Sequence, residues 1–562
     1  MFNYSCWITG IENIFTVLCW SNIDFLINLS LMFLTIFFLN FLIEENMNKV
    51  KYIHLIVVFF FFCLIFNSEF YLNSFFLQTL ESFNSFEILY NLIDETKLFY
   101  CQFVFFVSLI ILTILFFGFY QNNLMKYSKD FEFTFLILLF FISSLCLFFC
   151  SQFIELFICL ECISLCSYVL IGMERVNKLN AITGIRYLIL STIPSSLVIL
   201  GGIFIYENYG SFILNNIELF LESFSKSFTE ISFWENIHWF NNLFLSKSNI
   251  EITENFWFFH LIDWNVFEGF ESFVLRDYFL ISMYLAIIMI LINLLFKITG
   301  APFHIWAPVV YNQGPLGSVT FLATFSKFVI ILFLINLFTT IFYFAKPVWS
   351  YIFLFVSLLS VWCGMIGAFS QQFIKKFFIY SSMTDIGFLL LGCTFYNIEN
   401  QKSLFNYLFI YTLSSLLVWF SFLYLQKDTK FLVNLQSVLS KNPILILIFS
   451  LNIFSLAGIP PFGGFFIKLD ILIHLVTSSY FFVSLLLLLL TVINFYYYLR
   501  LIKILYFENY TFEKLNRDSN KIKYEKLVIF VFLIHIICFY EFFTQDVFLF
   551  LFDDFMKIIY LS

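Results

Sequence analysis

Long apolar runs broken by short polar stretches recur along this chain from near its start to near its end. A helix needs about 20 apolar residues to cross the hydrocarbon of a bilayer. Measured against that length, the runs predict membrane spans at 23–43, 53–72, 100–120, 133–151, 152–172, 183–206, 278–298, 316–341, 347–370, 373–396, 403–425, 443–475, 478–500 and 526–545, fourteen in all. Two of the runs are too long for one crossing. Segment 278–312 is interrupted at Gly300-Ala301-Pro302, and segment 443–475 at Gly458-Ile459-Pro460-Pro461, with Gly463 and Gly464 just beyond. Proline removes a backbone donor and glycine loosens the chain, so carbonyls are left unpaired at both places. Such backbone is tolerated at membrane depth only inside protein or along a wet cavity.

The two interruptions fall at matching places. If the fourth to eighth spans and the ninth to thirteenth are two five-span halves, each interrupted helix is the fourth member of its half. Interrupted spans at equivalent positions are the sequence mark of an inverted repeat with a site near the midplane. The predicted fold is an all-α polytopic membrane protein of about fourteen transmembrane helices, with two inverted five-helix repeats that each hold a broken helix. The expected organisation is residues 1–130 as the first three spans, and 131–206 with 278–341 as the first repeat. An insert follows at 207–277, then the second repeat at 342–500, and a loop with a last helix at 501–562.

Charge agrees with an even number of spans. Loops on one side hold 18 Lys and Arg, and loops on the other hold 6. This is the positive-inside bias, and it puts both termini on the outer side. The insert 207–277 falls on that outer side too, with 11 acidic against 3 basic residues and many aromatics. It reads as a loop packed on its neighbours or on the membrane interface.

Composition narrows the class. Of 562 residues, 61% are hydrophobic and 12% charged, with a mean hydropathy of +0.93, too little charge to cover a soluble surface. The net charge of −8, with no basic domain, argues against nucleic acid as a partner. The 89 phenylalanines are what the codon bias of an AT-rich organelle genome would favour. Residues 1–20 hold Glu12 and no Lys or Arg, so neither a signal peptide nor a transit sequence is expected there. Cys146, Cys150, Cys159, Cys162 and Cys166 share a region and lie within apolar runs. They read as small buried side chains, because metal and cluster sites need ligands converging from turns. No phosphate-cradling glycine loop or dinucleotide fingerprint occurs, so no redox chemistry is expected of this chain.

Four basic residues fall within predicted spans: Arg186, Lys297, Lys327 and Lys468. A charge near the bilayer centre costs about 2.5–3.5 kcal/mol or more, and is normally kept for a pathway or a partner. Lys327 is too deep to reach the surface, whereas Arg186 is close enough to the start of its span to snorkel. Lys297 and Lys468 each sit beside an interruption. Acidic candidates are Glu161 and Asp385 inside spans, Glu155 nearer an edge, and Asp470 two residues after Lys468. A buried Glu–Lys pair can be ionic or neutral, and a nearby charge tips it between the two. That is what a proton relay needs. Lysine can release its proton, and arginine cannot.

At this point FKITGAPFHIWAPVVYNQGPLGSVTFLATFSK (296–327) resembles the broken seventh helix, connecting loop and eighth helix of the antiporter-like subunits of respiratory NADH:quinone oxidoreductase, complex I. LECISLCSYVLIGMERVNKLNAITGIRYLILS resembles the fifth and sixth helices, QQFIKKFFIYSSMTDIGF the tenth, and SLAGIPPFGGFFIKLDIL the twelfth. The likeness covers roughly residues 130–500, and IPPFGGFFIK with PFHIW favours the subunit 2 branch. It implies that Glu161 is the fifth-helix glutamate and Lys297 its partner lysine. Lys327 is then the central lysine, and Lys468 the lysine of the twelfth helix. Arg186 stands where lysine is common, and implies a fixed positive field. Asp385 stands where histidine is common, which puts any shared role of that position in doubt. Val309 replaces a usual acidic residue. His304, just after the interruption, ranks below the lysines.

The expected function is proton translocation through the membrane arm of NADH:ubiquinone oxidoreductase. A pulse from quinone reduction elsewhere would separate Glu161 from Lys297, and the proton would pass by Lys327 to Lys468. The resemblance implies that NADH, FMN, iron–sulfur clusters and ubiquinone belong to other subunits, and that this chain holds no cofactor, with phospholipid around it. The partners implied are the neighbouring antiporter-like subunit and the small membrane subunits beside it, in the mitochondrial inner membrane with both termini towards the intermembrane space. A cation/proton antiporter subunit of the same fold, or a structural subunit that does not pump, are the alternative readings.

Overall fold

The computed structural model describes residues 127–173, 178–214, 270–394, 398–425, 431–432 and 443–507. The predicted spans 23–43, 53–72, 100–120 and 526–545, and residues 215–269 of the insert, lie outside the described residues. What is described is helical except for short connections. In chain order the helices are α1 (Tyr127–Phe149), α2 (Phe153–Gly172), α3 (Lys178–Tyr209), α4 (Phe270–Lys297), α5 (Ala307–Gln313), α6 (Leu316–Thr339), α7 (Lys346–Ser370), α8 (Ile374–Thr394), α9 (Ile398–Leu425), α10 (Pro443–Ala457), α11 (Gly463–Thr477) and α12 (Phe481–Tyr506). Among the described residues, 7 helices are long and apolar enough to cross a membrane, so the chain is a multi-span membrane protein. α4 starts at Phe270, eight residues before the predicted span.

The elements repeat. In the first half, α4 and α5 flank the connection through Gly300 to Pro302, and in the second, α10 and α11 flank the connection through Gly458 to Pro461. A smaller detail repeats with them. Gln152, just before α2, bridges to Ile213 after α3, and Phe373, just before α8, bridges to Phe431 after α9. The first bridge is held by Phe153 N–H donating to the Phe212 carbonyl and by Leu214 N–H to Ser151, both 2.9 Å, and the second by Leu432 N–H to Gln372, also 2.9 Å. Each closes the loop after a third helix onto the start of the second helix of its half.

The first halves of both interrupted helices end alike. Thr299 (φ 65°) and Gly458 (φ 78°) take the left-handed conformation. The next residue in each case reaches back five positions, Gly300 N–H to Leu295 O at 2.9 Å and Ile459 N–H to Phe454 O at 3.2 Å. A left-handed residue followed by this bond is the Schellman ending of a helix. Glycine takes that conformation freely, while the β-branched Thr299 is strained in it.

Packing puts α6 and α9 in the interior. Every residue of α6 from Lys327 to Phe338 is buried. α3, α7 and α12 instead turn apolar side chains outward, among them Ile185, Ile193, Tyr351, Phe355, Leu489 and Val492, as helices that meet lipid or other membrane subunits do. α7 and α8 approach closely because Gly364 and Gly367 lie against Tyr380 and Gly387 against Ser360, the use that membrane helices make of small residues. Glu155 is exposed and caps α2, where its carboxylate accepts from the N–H groups of Ser151 (3.0 Å) and Gln152 (3.3 Å).

Candidate functional site

Lys297 is the last residue of α4 and is 6% exposed. Among the described residues its ammonium forms no ion pair with Glu161, the pairing that the sequence suggests. It donates instead to the carbonyl of Leu160, the residue before Glu161, at 2.7 Å. Glu161 remains within electrostatic reach of Lys297. One of its carboxylate oxygens accepts from Ser164 Oγ at 3.2 Å, and the other is buried with no hydrogen-bond partner. The lysine and the glutamate are thus neighbours held half a step apart.

The interruption after Lys297 is fixed by a residue that the sequence did not single out. Trp306 is buried, and its indole N–H donates to the Phe296 carbonyl at 3.1 Å, back across the break. Its ring stacks on Tyr187 (4.4 Å between centroids) and on Phe296 (5.2 Å). One side chain therefore satisfies a carbonyl freed at the helix end and packs the connection between α4 and α5. His304 is only part buried, with its ring 6.4 Å from that of Tyr380. The structure does not bring it to the lysines.

Lys327 is the twelfth residue of α6, about 17 Å along the helix from its start, and is fully buried. Its ammonium donates to Ser382 Oγ of α8 at 3.0 Å and lies 5.9 Å from the centre of the Tyr311 ring. The five residues before it, Leu322–Ser326, form a π-helical turn. Such turns are rare and concentrate at functional sites. Here the Thr324 hydroxyl bonds the Thr320 carbonyl, and the Ser326 hydroxyl bonds that of Leu322. Nothing in the order of apolar residues announces this turn.

Asp385 is the twelfth residue of α8, at the same depth along its helix, and 3% exposed. The resemblance left its role in doubt, and the geometry makes it the hub of the second half. Its carboxylate lies 3.3 Å from the ammonium of Lys468, accepts from the Tyr407 hydroxyl at 3.2 Å, and is within electrostatic reach of Lys327. Lys468 sits on α11, past the second interruption. It also donates to the Leu456 carbonyl of α10 at 2.6 Å, which spans the break as Trp306 spans the first.

Buried phenols lie between the charges of the first half. Tyr168 lies beside Ser164 and Ser191 and packs edge-on against Tyr187 at 4.8 Å. Tyr187 lies within reach of Tyr311, whose ring faces Lys327. Of the candidate line, Lys297, Lys327, Asp385 and Lys468 are buried and Glu161 is half-buried, with hydroxyl groups beside them. Arg186 is not on it, since it is exposed on α3 among outward-facing isoleucines. Among the cysteines, Cys150 and Cys159 approach to 3.7 Å between sulfurs, and both are free.

Similarity to known proteins identifies the family. NADH-ubiquinone oxidoreductase chain 2 of Marchantia polymorpha is 27% identical over 445 residues, which cover 79% of this chain and 80% of that protein. NADH-quinone oxidoreductase subunit N of Wolbachia sp. subsp. Brugia malayi is 32% identical over 247 residues, covering 43% of this chain and 52% of that one. A chain in the structure of respiratory complex I from Thermus thermophilus superposes with a TM-score of 0.62 at 19% identity, covering 93% of this chain and 98% of its own length, and so shares the fold. The family model described as NADH:quinone oxidoreductase/Mrp antiporter, TM matches residues 150–246 and 252–494, more than half of the chain. The chain therefore belongs to the transmembrane family of NADH:quinone oxidoreductases and Mrp antiporters.

Proposed function

We infer that this chain is the subunit 2 type of proton-translocating subunit in the membrane arm of an NADH:ubiquinone oxidoreductase. The observation that carries this reading is the buried line of charges across both halves, interrupted at two helix breaks and centred on Lys327. Five ionisable groups in the membrane interior are costly, and such groups mark ion and proton pathways. The chain holds no cofactor of its own in this reading, and electrons pass through NADH, FMN, iron–sulfur and ubiquinone sites in other subunits.

In the proposed cycle a change of charge reaches Glu161 from a neighbouring membrane subunit. Lys297 then exchanges the Leu160 carbonyl for the carboxylate of the next residue, Glu161. The altered field acts on Lys327, whose proton moves by Ser382 towards Asp385 and Lys468. Arg186, permanently charged, takes no part in the transfer. The chain resides in the mitochondrial inner membrane with both termini towards the intermembrane space, among the other membrane-arm subunits and lipid. The domain division remains two five-helix repeats with the insert 207–277 on the outer side.

Native electrophoresis of solubilised membranes tests the assignment. Recovery of this chain in an assembly that oxidises NADH supports it. Recovery with antiporter subunits, in an assembly lacking flavin and iron–sulfur proteins, would favour a cation/proton antiporter of the same family instead.

A further inference from the structure

The turn between α1 and α2 brings two thiols together. Cys150 lies in that connection, outside both helices, and Cys159 lies on α2. Both are free, and their sulfurs are 3.7 Å apart. The Cys150 thiol has two acceptors in reach, Cys159 Sγ and the Cys146 carbonyl at 3.2 Å. Cys150 is 8% exposed, and Cys159 is half-buried. The surroundings are polar at this end of α2, where Ser151, Gln152 and Glu155 are exposed. The Glu155 carboxylate is within electrostatic reach of both sulfurs, and it is engaged by the N–H groups of Ser151 and Gln152. Cys146 and Cys162 are within reach of Cys159.

A cysteine that only fills space behaves as a small apolar side chain and needs no second thiol. A thiol sealed in an apolar core is also inert, whereas reactive thiols are partly open and have polar neighbours. Cys159 is the more open of the two, and a thiolate there would have the Cys150 S–H facing it. The pair is also set against the buried charges. Cys159 is followed by Leu160, whose carbonyl accepts from Lys297 at 2.7 Å, and then by Glu161. On its other side the connection is anchored, because Gln152 bridges to Ile213 and Phe153 N–H donates to the Phe212 carbonyl. The sulfurs of a disulfide lie about 2.05 Å apart, so closing the pair needs an approach of about 1.7 Å. With the connection anchored, that movement falls on the turn of α2 that carries Cys159, Leu160 and Glu161.

We propose that Cys150 and Cys159 are a redox-active dithiol that hydrogen peroxide oxidises to a disulfide, and that closure shifts the Leu160 carbonyl away from Lys297 and so slows the relay. The disulfide stands on the thiol geometry alone, and its effect on pumping rests on the relay reading above. The Cys159 sulfur, as thiolate, attacks one peroxide oxygen and the O–O bond breaks. Cys159 becomes a sulfenic acid, and the departing hydroxide takes up the proton that the thiol released, giving water. The Cys150 sulfur then attacks the sulfenic sulfur, the S–O bond breaks, and the oxygen leaves as a second water with the Cys150 proton. Two thiols and one hydrogen peroxide give one disulfide and two waters, with two electrons passing from the sulfurs to the peroxide. A dithiol reductant restores both thiols by exchange.

The test treats the assembled complex with hydrogen peroxide, blocks the remaining thiols with an alkylating reagent, and maps the unreduced peptides of this chain by mass spectrometry. The same samples in proteoliposomes report protons pumped per NADH, before and after dithiothreitol. Wild type is compared with Cys150→Ser and Cys159→Ser. The expected result is a Cys150–Cys159 disulfide in wild type, with loss of this subunit's share of the protons pumped per NADH and its recovery on reduction. Neither serine variant should form the link or show that loss. If one variant does not assemble, the other decides, and the wild-type peptide map reads the pairing without either. Full alkylation of both cysteines after peroxide, or a link from Cys159 to Cys146 or Cys162 instead, overturns the dithiol. A mapped Cys150–Cys159 disulfide with unchanged pumping overturns its coupling to Lys297. Lys327→Met in the same proteoliposomes reads the relay separately: normal pumping there removes the relay reading, and the dithiol is then decided by the peptide map.

Discussion

The two interrupted helices end their first segments in the same way and use their lysines differently. At the first, Lys297 lies before the break and bonds a carbonyl on α2, one residue short of the carboxylate it faces. At the second, Lys468 lies after the break and closes on both a carbonyl of α10 and the Asp385 carboxylate. The first break holds a pair that is poised, and the second a pair that is made. A line of proton carriers needs both. In the cycle proposed above, the poised pair responds to a charge from outside, and the made pair holds until Lys327 changes state.

The contrast is open to breaking, and the largest effect should come from the lysines. Lys468→Met leaves Asp385 buried without its counter-ion, and removing one partner of a buried pair costs about 3–5 kcal/mol. Lys297→Met should cost clearly less, since Glu161 is only part buried and makes no ion pair with Lys297. Heat treatment followed by native electrophoresis ranks the two, and equal loss would erase the distinction between poised and made.

A middle-sized effect should come from the glycines. A Cβ on Gly464 would collide with the Ser455 backbone carbonyl, whereas one on Gly300 would meet its neighbours at ordinary contact, 3.5 Å. Gly464→Ala should therefore destabilise by about 1–3 kcal/mol while Gly300→Ala stays close to neutral, as the yield of assembled complex would report. The smallest effect concerns the left-handed residues. Gly458→Ala should cost about 1–2 kcal/mol at φ 78°, and Thr299→Gly at φ 65° should cost little or stabilise. Melting temperatures of the complex separate the two, and loss of stability in Thr299→Gly would mean that the threonine is held there by packing.

Much of this was legible in the residues. The spans that fall within the described residues, both breaks and the buried Lys297, Lys327 and Lys468 follow from run length, from proline and glycine, and from charge counting, because lipid imposes those rules locally. What was not legible depends on which helix faces meet. Asp385 and Lys468 are 83 positions apart, and only the packing of α8 against α11 makes them partners. The same holds for Lys297 and Leu160, and for Tyr407 and Asp385. The π-turn before Lys327 had no signal in the apolar pattern, which is continuous through it. Arg186 was already set apart from Lys327 by its place near the start of its span, and it is exposed on α3.

The central claim is that Lys327 gives up and regains a proton, and does not act as a fixed charge. Proton pumping by the reconstituted complex carrying Lys327→Arg, beside Lys327→Met, tests this most directly. Arginine keeps the positive charge and cannot release its proton, so both variants should assemble, oxidise NADH and fail to pump through this subunit. Wild-type pumping by Lys327→Arg would contradict the account.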